Sequence, residues 1–237
     1  MRNDQTKKNN SNKIMPFVCN NGINGNQKTR SHAQKKPDTT TPRTCENGTI
    51  YKRRKNKDIR PREYLSENDI KKLIQGAKNS PWYGSRDATL ILIMFRHGLR
   101  VSEAVSLKWN QIDFKLGVIH IERIKNGVNT THPISGSEIR ALRALKREST
   151  TPYIFNSNRG NPLSVRTVRL IVAQAGQRAG FEYSIHPHML RHSTGFYLAM
   201  NGQDTRAIQH YLGHASITST VIYTHLDPSR FNGFFTD

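Results

Sequence analysis

Cysteine and long apolar runs are both scarce in this sequence. Cys19 and Cys45 are its only cysteines, so no disulfide framework is indicated. The longest apolar run extends from Ala88 to Phe95 and is interrupted by Thr89, well short of the ~20 apolar residues of a membrane-spanning helix. The N-terminal residues also lack the apolar core of a signal peptide. These absences predict a protein of the reducing cytoplasm with no membrane partner.

Acidic residues are also few. The 237 residues include 37 Lys and Arg but 17 Asp and Glu, which gives a formal net charge of +20. A balance this basic usually serves a polyanionic partner, which is a nucleic acid, a membrane surface or an acidic protein. The alternative that the charge serves solubility alone stays open at this point.

Familiar nucleotide and zinc motifs are missing from the sequence. It has neither a GxxxxGK[ST] loop for nucleotide phosphates nor an HExxH zinc motif. Two histidine pairs, His188 with His192 and His210 with His214, do have the i, i+4 spacing that can bind zinc. A metal-dependent nuclease is therefore an alternative, although no clustered carboxylate accompanies these pairs. We expect no metal and no other cofactor.

Residues 1–60 differ in composition from the rest of the chain. They hold 15 Lys and Arg against 4 Asp and Glu, a net charge of +11, and their few apolar residues show no pattern. Such a segment cannot bury enough apolar surface to offset its ordering entropy, so we predict a disordered basic arm before a folded domain at 61–237. The densest charge lies at Lys52, Arg53, Arg54, Lys55 and Lys57. This cluster can lie along DNA phosphates, and a solvated tail without a role is an equal alternative.

Apolar residues recur at helical spacing over most of residues 61–237. Ser66 is the expected N-cap of the first helix, with acidic residues in its first turn. Ser85 is expected to open a second helix that stops at Gly98, and Ser102 to cap a third, short helix. Further helices are predicted at about 137–147, 164–178, 187–201, 207–212 and 217–226.

A short β section interrupts the helices. Residues Val118 to Arg123 alternate loosely between apolar and polar, and Asn126-Gly127 is a strong hairpin signal. Residues 130–134 would form the returning strand, with Lys125 at the tip of the hairpin. The sequence therefore predicts a mainly α fold with one small antiparallel β-sheet.

Six side chains of catalytic type follow one another along this domain. They are Arg100, Lys125, His188, Arg191, His214 and Tyr223. A tyrosine that cleaves a phosphodiester needs fixed cations around the phosphorus centre, which gains negative charge in the transition state. Arg100 and Arg191 could form that clamp, because the planar guanidinium bonds two phosphate oxygens at once.

Proton transfer also has candidates in this set. A phenol has a pKa of about 10 and is a weak nucleophile at neutral pH. His188 lies on the same face of a predicted helix as Arg191 and could accept the proton of the phenol. Lys125 could protonate the leaving 5′-hydroxyl, and His214 could donate a hydrogen bond to a phosphate oxygen. Taken singly, each residue has an ordinary explanation as a surface charge or a core aromatic, but their joint arrangement favours catalysis.

The set resembles the active site of the tyrosine recombinase (phage integrase) family. Three local contexts carry the resemblance, and they are Gly98-Leu99-Arg100-x-Ser102-Glu103, His188-x-Leu190-Arg191-His192-Ser193, and Leu212-Gly213-His214 leading to Ile222-Tyr223-Thr224-His225. The resemblance covers about residues 64–228. It implies the catalytic-domain fold of the DNA breaking-rejoining enzymes.

The resemblance also implies a role for each side chain. Tyr223 would attack the scissile phosphate and form a 3′-phosphotyrosyl intermediate, while Lys125 acts as general acid on the 5′-oxygen. His188 would assist proton transfer, and Glu103 would support the site. The phosphate would be held by Arg100, Arg191 and His214.

Further stretches are similar to the short recombinases that invert fimbrial promoters. They include Thr130-Thr131-His132-Pro133, Asp204-Thr205-Arg206, Tyr211-Leu212-Gly213-His214 and Arg230-Phe231-Asn232-Gly233. Those proteins consist almost entirely of the catalytic domain, whereas most integrases clamp DNA with a helical core-binding domain upstream. Residues 1–60 cannot form such a domain, so the basic arm is a candidate substitute.

The resemblance implies double-stranded DNA as the partner, four protomers on paired DNA sites, accessory DNA-bending proteins and a nucleoid-associated location. A type IB topoisomerase shares the chemistry, and a catalytically silent DNA-binding regulator could keep the fold. The recombinase-type contexts argue against the first alternative, and the six competent side chains argue against the second. Inversion, integration and excision of DNA stay open.

Overall fold

The computed structural model describes residues 63–124 and 127–224, except for the side chain of Thr224. The predicted arm at 1–60, the hairpin residues Lys125 and Asn126, and residues 225–237 lie outside the described residues. Within the two described ranges, no helix is long and apolar enough to cross a membrane.

Helices make up most of the described chain. Their bounds are α1 Glu67–Lys78, α2 Gly84–Arg96, α3 Val101–Ser106, α4 Gly136–Glu148, α5 Val165–Arg178, α6 Pro187–Met200, α7 Thr205–Leu212 and α8 Thr218–Thr224. A short 3₁₀ helix, Trp109–Gln111, follows α3. The prediction of a mainly α fold is confirmed.

The three strands β1 (Ile112–Asp113), β2 (Val118–Ile121) and β3 (Thr130–Pro133) form an antiparallel sheet in the order β1-β2-β3. The predicted small antiparallel sheet is thus confirmed, but two details differ. Strand β1 was missed, because two residues are too few to show an alternating pattern. Strand β2 ends before Arg123, because the Arg123 main-chain N–H bonds the Asn129 side chain (2.9 Å) and not a strand partner.

Local hydrogen bonds decide where the helices begin. Ser66 caps α1 as predicted, in a reciprocal capping box with Asp69. The prediction that Ser102 caps α3 is wrong, since Arg100 is the N-cap and its main-chain N–H donates to Glu103 Oε2 at 2.8 Å. Helix α7 begins two residues earlier than predicted, because the Asp204 side chain accepts the N–H groups of the first turn.

Helices α1, α2 and α5 enclose the main hydrophobic core. Leu73 of α1, Ile91 of α2 and Val172 of α5 are among the side chains with no exposed surface. Gly76 lets α1 lie directly on α5, because a Cβ atom there would stand 2.3 Å from the Ala175 carbonyl oxygen. Burial of this amphipathic set is the main stabilising contribution to the fold.

A second, smaller apolar cluster joins α6, α7 and α8. Its buried members are Phe196, Ala199, Ile208, Leu212 and Tyr223. This cluster fixes the two short C-terminal helices against α6, because helices of seven or eight residues are not stable alone. The last element of the described chain is therefore held in place by the same residues that surround Tyr223.

Candidate active site

Helix α6 carries four residues of the site on adjacent turns. Pro187 occupies its first turn, where the missing N–H costs nothing. His188, Arg191, His192 and Gly195 then recur at three- and four-residue spacing, which places them on one face of the helix.

Arg191 is almost completely buried at the centre of the site. Its guanidinium donates hydrogen bonds to the main-chain carbonyls of Gly98 and of Leu212, the latter at 2.8 Å. Burial, together with the charges of Arg100 and Arg123, lowers the pKa of Arg191 to about 10. The guanidinium therefore remains charged at neutral pH, and it ties the loop before α3 to the end of α7.

Arg100 and Glu103 form an ion pair at the start of α3. Arg100 Nη1 lies 2.8 Å from Glu103 Oε1, and 31% of the Arg100 side chain is exposed. Burial opposes ionisation of Glu103, but hydrogen bonds from Arg100 and the charge of Arg123 outweigh it and hold the pKa of Glu103 below its usual value. Glu103 thus remains a carboxylate that supports Arg100, whose side chain is partly exposed.

His214 follows the end of α7. Gly213, the C-cap, adopts the left-handed conformation (φ 62°) that turns the chain at this point. His214 Nδ1 lies 2.8 Å from the Thr220 hydroxyl oxygen. Burial and the nearby Arg191 charge lower the pKa of His214 to about 4, so the imidazole is neutral at physiological pH.

Tyr223 lies on α8 and is 2% exposed. Its hydroxyl oxygen is 3.2 Å from His192 Nδ1. The ring meets Phe196 edge-on at 5.1 Å between centroids and lies nearly parallel to the His214 ring at 6.3 Å. Burial raises the pKa of Tyr223, while the charges of Arg191 and Arg100 oppose that rise. In this arrangement the phenol is protonated at neutral pH.

His188 lies beside an open depression next to this cluster. The His188 ring contacts the His192 ring edge-on, with 4.5 Å between centroids. Arg100, Arg169, His186 and His188 contribute the basic side chains of the depression, whose volume is about 850 Å³. A basic, open surface of this kind suits an extended polyanion better than a small apolar ligand.

The structure thus brings together five of the six side chains singled out as catalytic from the sequence, together with Glu103. The sixth, Lys125, lies outside the described residues. Within the described ranges, no group of three or more His, Cys, Asp or Glu side chains is arranged to hold a metal ion. The histidine pairs that suggested zinc are therefore not joined there by further ligands.

Comparison with protein-family models shows which family the chain belongs to. The model of the phage integrase family matches residues 63–230, more than two thirds of the chain. The chain belongs to the phage integrase family. It is a tyrosine-type site-specific recombinase, and the family predicted from the sequence is confirmed.

Curated relatives of this recombinase include short and long proteins. It is 42% identical over 188 residues to the type 1 fimbriae regulatory protein FimB of Escherichia coli K12, covering 76% of this chain and 94% of that protein. Tyrosine recombinase XerC of Xanthomonas campestris pv. campestris is 33% identical over 168 residues, which are 70% of this chain and 52% of that protein. The alignment therefore covers nearly the whole length of FimB but only about half the length of XerC.

Solved structures agree with this fold. The XerA recombinase superposes with a TM-score of 0.64 at 28% identity, over 73% of this chain and 65% of that chain. The match thus spans slightly less than two thirds of XerA. The predicted catalytic-domain fold of the tyrosine recombinases is confirmed.

Two side chains of the cluster were missed by the sequence analysis. His192 was considered as a zinc ligand, whereas its Nδ1 faces the Tyr223 hydroxyl. Arg123 was not considered, yet its side chain is fully buried against Glu103. The local sequence offers a weak signal for the first, since His192 directly follows Arg191, and none for the second.

Proposed function

We propose that this recombinase cleaves and rejoins double-stranded DNA at a specific site, with Tyr223 as the nucleophile. The observation that carries the proposal is the convergence of Tyr223 on α8 with Arg191 and His192 on α6 and with Arg100 before α3. The charges of Arg191 and Arg100 oppose the rise in the pKa of the buried phenol. They supply the positive field that the transition state of phosphoryl transfer requires.

Double-stranded DNA as the partner is supported by charge and by relatives. The chain carries a net charge of +20, and the depression that His188 borders is also lined by Arg100, Arg169 and His186. A lambda integrase dimer, 25% identical to this chain with a TM-score of 0.56, has been solved bound to a COC′ core site; that match covers 66% of this chain and 59% of that chain. Basic side chains around an open depression suit the phosphate backbone of a duplex.

In the proposed cleavage step, the Tyr223 hydroxyl oxygen attacks the scissile phosphorus. The bond from phosphorus to the 5′-oxygen breaks, and the 3′ end remains joined to the tyrosine as a phosphodiester. Lys125 gives a proton to the leaving 5′-oxygen, and the phenol proton passes to His188. Attack by a 5′-hydroxyl on the phosphotyrosyl bond reverses the step, so the strand is rejoined without an external energy source or a cofactor.

The phosphate is held by three groups in this proposal. Arg100 contributes its partly exposed side chain, and Arg191 contributes a buried positive charge. If the Thr220 hydroxyl donates to His214 Nδ1, the ring proton of the neutral imidazole is on Nε2, which then donates to a phosphate oxygen. Glu103 keeps Arg100 in place through its 2.8 Å ion pair.

DNA binding must also act on the nucleophile. Tyr223 is 2% exposed, and its hydroxyl is hydrogen-bonded to His192. A phosphate can therefore reach the hydroxyl only after α8 or the surrounding side chains move.

At the level of the assembly, we propose DNA inversion by four protomers on paired sites, with accessory DNA-bending proteins and a nucleoid-associated location in the cytoplasm. The similarity to FimB, at 42% identity over 94% of that protein, supports this proposal. The basic arm at 1–60, with Lys52 to Lys57 as its densest charge, is proposed to lie along DNA before the catalytic domain at 61–237.

Trapping with suicide substrates tests this function. Nicked duplexes made from DNA around the gene are incubated with the protein, and a covalent protein–DNA adduct is expected on those that contain the cleavage site. Tyr223→Phe is expected to bind the same DNA but form no adduct. Tyr183→Phe is the matched control, because the buried Tyr183 hydroxyl has no hydrogen-bond partner among residues 63–124 and 127–224.

The outcomes separate the alternatives. An adduct in Tyr223→Phe would move the nucleophile to another residue. Adducts that form on any sequence, with relaxation of supercoils and no requirement for paired sites, would indicate a topoisomerase. Cleavage that disappears with a chelator would indicate a metal-dependent nuclease.

A further inference from the structure

Arg123 lies just beyond the end of β2, and its side chain is buried in the site. The exposed fraction of its side chain is 0%. Burying an arginine in this way costs free energy unless its N–H groups are paired. Its partners therefore indicate what the residue is kept for.

The Arg123 guanidinium joins two parts of the site. Its Nη1 lies 2.8 Å from Glu103 Oε2, and its Nη2 donates to the Tyr211 carbonyl oxygen at 2.7 Å. The Arg100 side chain donates to the other oxygen of Glu103, Oε1. The Arg123 guanidinium thus connects the carboxylate that supports Arg100 with the last turn of α7.

The aliphatic part of Arg123 packs between two glycines. A Cβ atom at Gly213 would stand 2.8 Å from Arg123 Cγ and Nε, and a Cβ atom at Gly127 would stand 2.6 Å from Arg123 Cβ. Gly213 directly precedes His214 and forms the turn that presents it. Arg123 therefore contacts the His214 turn through both a hydrogen bond and close packing.

We propose that Arg123 is a positioning residue that fixes Arg100 and His214 relative to each other at the scissile phosphate. This inference rests on the proposed function, in which both groups hold the phosphate. Arg123 itself is too buried to touch DNA. It acts on the reaction through Glu103 on one side and the Tyr211–Gly213 turn on the other.

The chemistry of the site requires an arginine at this position. The planar guanidinium bonds a carboxylate and a carbonyl in two fixed directions, whereas a lysine ammonium is a point charge on a flexible stem. Arg123→Lys keeps the positive charge beside Glu103 but does not reproduce both directions. Arg123→Met keeps most of the aliphatic packing and removes every donor.

The test compares two suicide substrates that differ at the scissile phosphate. One carries the normal phosphodiester, and the other carries a methylphosphonate, in which a methyl group replaces one non-bridging oxygen and removes the negative charge. Arg100→Ala is expected to lose most of its rate on the phosphodiester and far less on the methylphosphonate, because the neutral substrate needs less charge compensation. Rates are taken as single-turnover adduct formation with DNA in excess.

Arg123→Lys and Arg123→Met are expected to follow Arg100→Ala. On the phosphodiester the rate falls by about 10²-fold, the size of the loss when a transition-state donor is misplaced. On the methylphosphonate the loss shrinks to within about tenfold of the wild-type rate. A merely structural role predicts equal losses on both substrates, and that result would overturn the inference.

Two controls keep this inference separate from the proposed function. If the wild-type protein forms no adduct with either substrate, the proposed function is wrong, and this failure is distinct from a failure of the inference about Arg123. If Arg100→Ala shows the substrate-dependent loss and the Arg123 variants do not, the inference alone fails. Thermal unfolding is measured for each variant, and if Arg123→Met does not fold, Arg123→Lys by itself decides the question.

Discussion

The Tyr223 hydroxyl oxygen lies 3.2 Å from His192 Nδ1. His192 follows His188 by one turn of α6. Burial and the neighbouring charges of His188 and Arg191 lower the pKa of His192 to about 4. A neutral imidazole therefore faces a neutral, buried phenol, and the pair satisfies a hydroxyl that would otherwise be costly to bury. This contact holds Tyr223 in the apolar cluster of α6 and α8.

Replacing His192 tests that contact. His192→Phe keeps an aromatic ring but leaves the Tyr223 hydroxyl without this partner, so we expect a loss of about 1–3 kcal/mol in the free energy of unfolding. In a Tyr223→Phe background the same change should cost about 1 kcal/mol less, since no hydroxyl remains to be satisfied. Denaturant unfolding of the four proteins measures this coupling. Equal losses in both backgrounds would show that the hydrogen bond contributes nothing.

Gly195 gives a prediction whose sign depends on Tyr223. A Cβ atom at Gly195 would stand 2.6 Å from two ring atoms of Tyr223, and a rigid aromatic ring cannot yield by rotating a flexible end. Gly195→Ala should therefore destabilise the protein by about 1–3 kcal/mol. In a Tyr223→Ala background the clash is gone, and the same change should stabilise α6 by about 0.5–1 kcal/mol through helix propensity. A destabilising effect in both backgrounds would contradict this account.

Acid should destabilise the folded protein over a defined range. Burial, with the charges of His97 and Arg123, lowers the pKa of His132 to about 3, while the pKa of an unfolded histidine is about 6.5. Below pH ~6.5 the unfolded chain binds a proton that the folded chain does not, so stability is complete above that pH and is lost as the pH falls toward 3. His192 and His214, with pKa values of about 4, act in the same direction.

The free energy of unfolding should thus fall with a slope of about 1.4 kcal/mol per pH unit for each such histidine. His132→Asn should remove roughly one histidine's share of the slope between pH 6 and 4. The matched control is His120→Asn, because His120 is exposed on the neighbouring strand. An unchanged slope in His132→Asn would mean that His132 is not the buried neutral group proposed for this pH range.

Removing the basic arm should change how salt affects DNA binding. Residues 1–60 carry a net charge of +11, and each phosphate they neutralise releases counterions on binding. Deletion of 1–60 is expected to weaken affinity and to flatten the plot of log affinity against log salt concentration. Replacing Lys52, Arg53, Arg54, Lys55 and Lys57 by glutamine keeps the length of the arm and should reproduce part of the effect. An identical slope in all three proteins would place the arm away from DNA.

Sequence reasoning succeeded where a signal is local. The capping box of Ser66 and Asp69 lies within four consecutive residues, and the apolar spacing of α1, α5 and α6 repeats over several turns. It failed at the start of α3, because the N-cap there is Arg100, which is not one of the usual N-cap residue types, whereas the expected Ser102 is.

The sequence by itself determined the family, the mainly α fold and the order of the side chains predicted to be catalytic, because these depend on short motifs and on helical periodicity. The tertiary structure alone decided which side chains touch. Arg123 meets the Tyr211 carbonyl across 88 residues, and Tyr223 meets His192 across 31. Such contacts form because α6, α7 and α8 bury their apolar faces together, and no local pattern records which polar groups that packing brings within hydrogen-bond distance.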